Sequence, residues 1–170
     1  MELALRKWEG DFMVPDDAAY LAEVDDILSN PVFQSMRQYI QHGTTSCLAH
    51  CISVSYRSYL TCEKYGLNSR AAARGGLLHD LFLYDWHDKE DDRRGLHGFT
   101  HPAAALANAE KEFDLTELEK EIILRHMWPL TIKPPRHKEA YVVLYHDKVC
   151  STRETFGLAD PFLVPIKEKA

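Results

Sequence analysis

A chain of 170 residues, 45% hydrophobic and 27% charged, is long enough for one globular domain with a sizeable core. Its net charge of -6 argues against a large nucleic-acid or anionic-membrane surface, because both need clustered Lys and Arg. No apolar run approaches the roughly 20 residues that span a bilayer, and Met1 to Trp8 has no signal-peptide character, so a cytoplasmic protein is expected.

Residues 1–15 are mixed and end at Pro15. Asp16 and Asp17 cap a predicted helix to about residue 29, with Tyr20, Leu21, Val24, Ile27 and Leu28 as its apolar stripe. Asn30-Pro31 breaks it, and Pro31 opens a short helix to about residue 39. Residues 41–46 read as a turn, and Thr45 or Ser46 caps a helix over 46–64 that stops at Gly66. Cys47, His50, Cys51 and Val54 share its inner stripe. Asn68 or Ser69 caps a helix over 69–84, whose buried face carries Ala72, Gly75, Gly76, His79 and Leu83. The two glycines each cost about 1 kcal/mol of helix propensity against alanine, which close approach of another helix would justify.

Residues 85–99 are mostly polar and read as an exposed loop, either a solvated surface or a lid. Thr100-His101-Pro102 starts a helix to about residue 113, and Thr116 caps another to about residue 127, where Pro129 ends it. A Pro-containing connector over 130–137 leads to a last long helix over 137–156 and an irregular tail over 157–170. There is no strong period-two pattern and no internal repeat. The expectation is a single all-α domain over 1–170, a bundle of six or seven helices with its core in 41–155 and its N-terminal helices in 16–39. Cys47, Cys51, Cys62 and Cys150 form no CxxC pair and read as small buried apolar residues rather than disulfide or soft-metal partners.

His79-Asp80 organises the chain. A buried carboxylate is expensive unless it is paired or coordinates a metal. His50, His79, His101 and His126 lie on inward stripes of four predicted helices, and Asp147 lies on a fifth. Five helices aiming imidazole and carboxylate groups into one core would leave it badly unsatisfied, and metal ions remove that difficulty. His42, in the turn before the His50 helix, is a candidate for the mouth of such a site. His87, His97 and His137 read as loop residues, and His146 points about 100° away from Asp147 on its helix.

The ordered set His50, His79-Asp80, His101, His126 and Asp147 resembles the HD-domain metal-dependent phosphohydrolase superfamily over about 41–155, in its binuclear branch. The resemblance implies an HD-like helical fold. It further implies that His50, His79, Asp80 and Asp147 hold a first divalent metal, and that Asp80 bridges to a second held by His101 and His126. Imidazole and carboxylate ligands suit iron or manganese, with cobalt, nickel and zinc also open, better than magnesium. The implied reaction is hydrolysis of a phosphate ester of a small metabolite, a nucleotide by family expectation, through a metal-bridging hydroxide. No large nucleic acid and no membrane is expected as a partner.

Leu83 stands where the cyclic-dinucleotide branch of the superfamily carries a lysine, and that branch's Gly-Tyr-Pro signature is absent. Lys148 is the candidate for a substrate phosphate. Tyr84, Trp86, Phe99 and Trp128 are candidates to stack on a base. Two other classes stay open at this point: a di-iron oxygenase of the same superfamily, and a metal-stabilised module that binds a nucleotide without turnover.

Overall fold

The computed structural model describes residues 5–7, 13–84 and 97–158. Two short antiparallel strands, β1 (Leu5–Lys7) and β2 (Met13–Pro15), precede the helices, with Leu5 opposite Pro15. Then come α1 (Ala18–Leu28), α2 (Pro31–Gln34) and a 3-10 turn (Ser35–Gln38). A second strand pair, β3 (Ile40–His42) with β4 (Thr45–Ser46), leads into α3 (Cys47–Tyr65). The remaining helices are α4 (Ser69–Leu78), α5 (His97–Glu112), α6 (Glu117–Arg125) and α7 (Lys138–Thr155). The fold is all-α, as the periodicity predicts.

Most helix starts are set by caps legible in the sequence. Asp17 accepts from the backbone N–H groups of Ala19 and Tyr20, both at 3.1 Å. Ser46 caps α3 through Ala49, and Asn68 caps α4 through Ala71. Thr116 and Glu119 form a reciprocal capping box on α6. α3 stops where Gly66 takes φ +63, in the left-handed region that favours glycine.

α4 is the hub. Every residue from Ala71 to Leu78 is buried. Ala73, Leu77 and Leu78 join one apolar cluster with α1 and α3. Ala71 and Ala72 join a second with Ile122 and Val143. The paired glycines explain how so many helices approach it. A Cβ on Gly76 would lie 2.8 Å from the Ser55 Cα of α3, and one on Gly75 would lie 2.6 Å from the Ile122 Cγ2 of α6. Arg74, 4% exposed, is clasped within this packing by Asp26, Glu119 and the Glu23 carbonyl.

Five boundaries differ from expectation. The 69–84 helix ends at Leu78, so His79 and Asp80 occupy the turn after it rather than its face. Leu83 takes φ +58, and Asn108 of α5 donates to the freed carbonyl of Leu81 at 2.9 Å. The apolar run through Leu83 hides this end, because buried turn residues look like a continuing stripe. The 31–39 helix tightens into a 3-10 turn at Ser35. Residues 41–46 form the hairpin β3–β4, with Gly43 at φ +58, rather than a plain turn. α5 begins at His97, so His101 and Pro102 lie inside it instead of at its start, and residues 97–99 are helix rather than loop. α6 ends at Arg125, which puts His126 at its C-cap. The expectations for 85–96, including Trp86, His87 and the lid, and for the tail over 159–170 lie outside the described residues. No helix among the described residues is long and apolar enough to cross a membrane.

Candidate metal centre

Six side chains from α3, α5, α7 and the two turns ending α4 and α6 converge at the core of the fold. They are His50, His79, Asp80, His101, His126 and Asp147, none more than 4% exposed. They fall into two groups whose potential ligand atoms lie within 4.8 Å of one another: His50, His79 and Asp147, and Asp80, His101 and His126. The Asp80 carboxylate joins them. Its Oδ2 lies 3.3 Å from His79 Nε2 and 3.8 Å from His50 Nε2. Its Oδ1 lies 3.2 Å from His101 Nε2 and 3.5 Å from His126 Nε2. Asp147 Oδ1 completes the first group, 3.3 Å from His50 Nε2 and 3.8 Å from His79 Nε2.

The outer ring nitrogens show which way these imidazoles work. His79 Nδ1 lies 2.8 Å from the Gly76 carbonyl, and His126 Nδ1 lies 2.7 Å from that of Ile123. His50 Nδ1 lies 2.9 Å from a Glu154 carboxylate oxygen. Each acceptor requires an N–H, so Nδ1 donates in all three rings and Nε2 faces inward, where a neutral ring presents its lone pair. This tautomer is the one a metal takes, and the outer hydrogen bond fixes the ring. His101 and His126 bring their Nε2 atoms to 2.7 Å from one another. His79 Nε2, buried, has no hydrogen-bond partner among the described residues.

Charge gives the same reading. Burial alone would push Asp80 up, but the adjacent His79 and the rings of His101 and His126 hold it well below the usual carboxylate range. Burial likewise opposes Asp147, and His50 and His79 outweigh it. Burial disfavours the cationic forms of His50 and His79, yet the carboxylates beside them push both well above the ordinary value. His126 is pushed down to about 4, chiefly by burial. The cluster therefore demands positive charge, from protons on its rings or from cations. Its donors, imidazole nitrogen and carboxylate oxygen, are those that divalent transition metals accept, and the two groups of three fit such ions.

Lys148 lies beside the cluster. Its ammonium is 2.8 Å from Asp147 Oδ2 and its side chain is 44% exposed. Ser151 donates to Asp147 Oδ1 at 3.1 Å. His42 belongs to β3, and its side chain lies outside what is described. His137 sits just before α7, makes no capping hydrogen bond to it and meets Glu121, while His146 turns away from the centre to Thr61. Of the stacking candidates, Tyr84 packs on Phe82, Trp128 meets Tyr141 edge-on, and Phe99 is half exposed.

Two residues at the centre escape the sequence reading. Glu154, 7% exposed, holds His50. It continues the buried α7 stripe Val143, Asp147, Cys150, so its helical spacing from Asp147 was a usable signal. Gln41, 5% exposed, donates to Asp80 Oδ2 at 2.5 Å. Nothing local marks it, since it sits in a polar stretch that reads as a turn.

A Bacillus subtilis (strain 168) protein named "Putative phosphohydrolase YueE" is 34% identical over 62 residues, 36% of this chain. The matched stretch spans about a third of that relative's own length, 32%. Among solved structures, the HD domain of the L. monocytogenes phosphodiesterase PgpH, in complex with cyclic-di-AMP, superposes with a TM-score of 0.47. That pair is 14% identical, across 81% of this chain and 74% of the other. The family model for the HD domain matches residues 47–152, a span that includes all six converging side chains, and the chain belongs to the HD-domain family.

Proposed function

We propose that the chain is a metal-dependent phosphohydrolase that cleaves a phosphate ester of a small metabolite, a nucleotide being the class the family resemblance favours. The observation that carries this reading is the set of inward Nε2 atoms, three of them fixed by outer hydrogen bonds, around a carboxylate with one oxygen toward each group. His50, His79, Asp147 and Asp80 Oδ2 would hold one divalent ion, and Asp80 Oδ1, His101 and His126 a second, with iron or manganese the expected metals. Such ions supply an acidified water, its pKa lowered toward about 7, and positive charge for the phosphate oxygens. The protein holds the ligands in place, and Lys148 adds a cation at the exposed edge. Four buried free thiols suit a reducing compartment, and we place the protein in the cytoplasm on that ground.

The test is metal analysis of the purified protein, then a phosphate-release screen over nucleotides with wild-type chain and Asp80→Ala. Two metals per chain and loss of release in the variant are expected, since Asp80 alone faces both groups. His101→Ala or His126→Ala should empty the second position while leaving the first. A folded Asp80→Ala with full activity would refute the mechanism. Oxygen uptake with iron and a reductant, without phosphate release, would replace it with oxygenase chemistry.

A further inference from the structure

Gln41 is an unusual residue to bury against a carboxylate. The amide presents its N–H to the carboxylate: Gln41 Nε2 donates to Asp80 Oδ2 at 2.5 Å. The amide carbonyl is left over. Gln41 Oε1 is buried and has no hydrogen-bond partner among the described residues. A leucine or methionine would fill similar volume without leaving a buried oxygen unsatisfied, which is costly. The amide therefore has a use that apolar packing does not provide.

The hairpin that delivers it is braced. Cys47 N–H donates to the Tyr39 carbonyl at 2.8 Å, closing the base of β3–β4. At its tip, a Cβ on Gly43 would lie 2.9 Å from the Glu154 backbone oxygen, so the turn rests on the part of α7 whose carboxylate holds His50. Gln41 is thus fixed from both ends. Its target matters because Asp80 faces the two groups with different oxygens, and rotation of that carboxylate would misplace both.

Resting on the metal-dependent hydrolysis proposed above, we infer that Gln41 is a positioning residue of the centre: its N–H fixes the rotation of the Asp80 carboxylate, and its carbonyl accepts a hydrogen bond from the attacking water and so orients it. Loss of a hydrogen bond to a metal ligand typically weakens metal binding by about 10–100-fold.

The experiment measures Mn2+ affinity by competition with a fluorescent chelator, and the melting temperature of the metal-free chain, for wild type, Gln41→Leu and Gln41→Met. The expected result is a metal-free melting temperature equal to or above that of wild type, with the Mn2+ dissociation constant raised about tenfold or more. On a nitrophenyl phosphate ester, kcat should fall with KM little changed. Folded variants that bind Mn2+ like wild type overturn the inference while leaving the hydrolase reading intact. A wild-type chain that binds no Mn2+ overturns both.

Discussion

Replacing Arg74 with methionine should destabilise the protein severely, through the partner it abandons rather than the contacts it loses. Arg74 reaches Asp26 through two nitrogens, at 2.5 and 2.9 Å, and Glu119 through Nε at 2.9 Å. These carboxylates are not equivalent. The Asp26 side chain is 56% exposed and can return to water, so its pairing contributes at most about 1 kcal/mol. The Glu119 side chain is 3% exposed, and in the variant it keeps only its capping contacts with Thr116, through Oε2. Removing one partner of a buried pair costs about 3–5 kcal/mol, because an uncompensated charge remains. For a chain of this size that is a fall in Tm of roughly 10 °C. Urea and thermal unfolding followed by circular dichroism would read it. The double variant Arg74→Met/Glu119→Gln removes the stranded charge and should recover more than half of the loss. If the single variant loses less than about 1 kcal/mol, or the double variant is no better than the single, the stranded-charge account is wrong.

Chelation should lower Tm, since metal at about 100 times its dissociation constant stabilises the fold by about 2.7 kcal/mol; an unchanged melting curve after verified removal would count against it. The metal-free chain should also respond to alkali. His50 and His79 are raised well above 6.5 in the folded state, so their contribution is fully present below 6.5 and is lost as pH rises through the folded values. Melting curves of the metal-free chain should therefore fall with rising pH above 6.5 relative to the metal-loaded chain, and parallel profiles would refute this. Gly76→Ala should cost about 1–3 kcal/mol by urea titration, because its methyl meets the Ser55 backbone at 2.8 Å; a neutral result would mean that α3 and α4 separate easily. Cys47, Cys51 and Cys62 are buried and their thiols are pushed up by burial, so a thiol reagent should label them only after unfolding. Rapid labelling of the native chain would show that the core opens.

The helices and their caps were readable because each signal is local: Asp17, Ser46, Asn68 and Thr116 bond to backbone within three residues. The six centre residues were readable because ligand-type groups stood on apolar stripes. What was hidden depends on distant chain. The end of α4 is held by Asn108 of α5, and Gln41 acquires its meaning only when Asp80, 39 residues away, is folded against it. Glu154 lies 104 residues from His50, and although its stripe was visible its target was not. The strands β3 and β4 are too short for a period-two pattern to register.

The outer hydrogen bonds of the centre differ in reach, and this divides it by folding order. His79 and His126 bond carbonyls three residues back, so each ring is oriented as soon as its own helix terminates. His50 is oriented by Glu154, and its group is completed by Asp147, both from α7. If α7 lifts locally, the first group loses Asp147 and the brace on His50 together, whereas Asp80, His101 and His126 keep all three members. Amide exchange along α7 therefore reports on one half of the centre, and a partial opening of this one helix would release an ion held by the first group while sparing one held by the second.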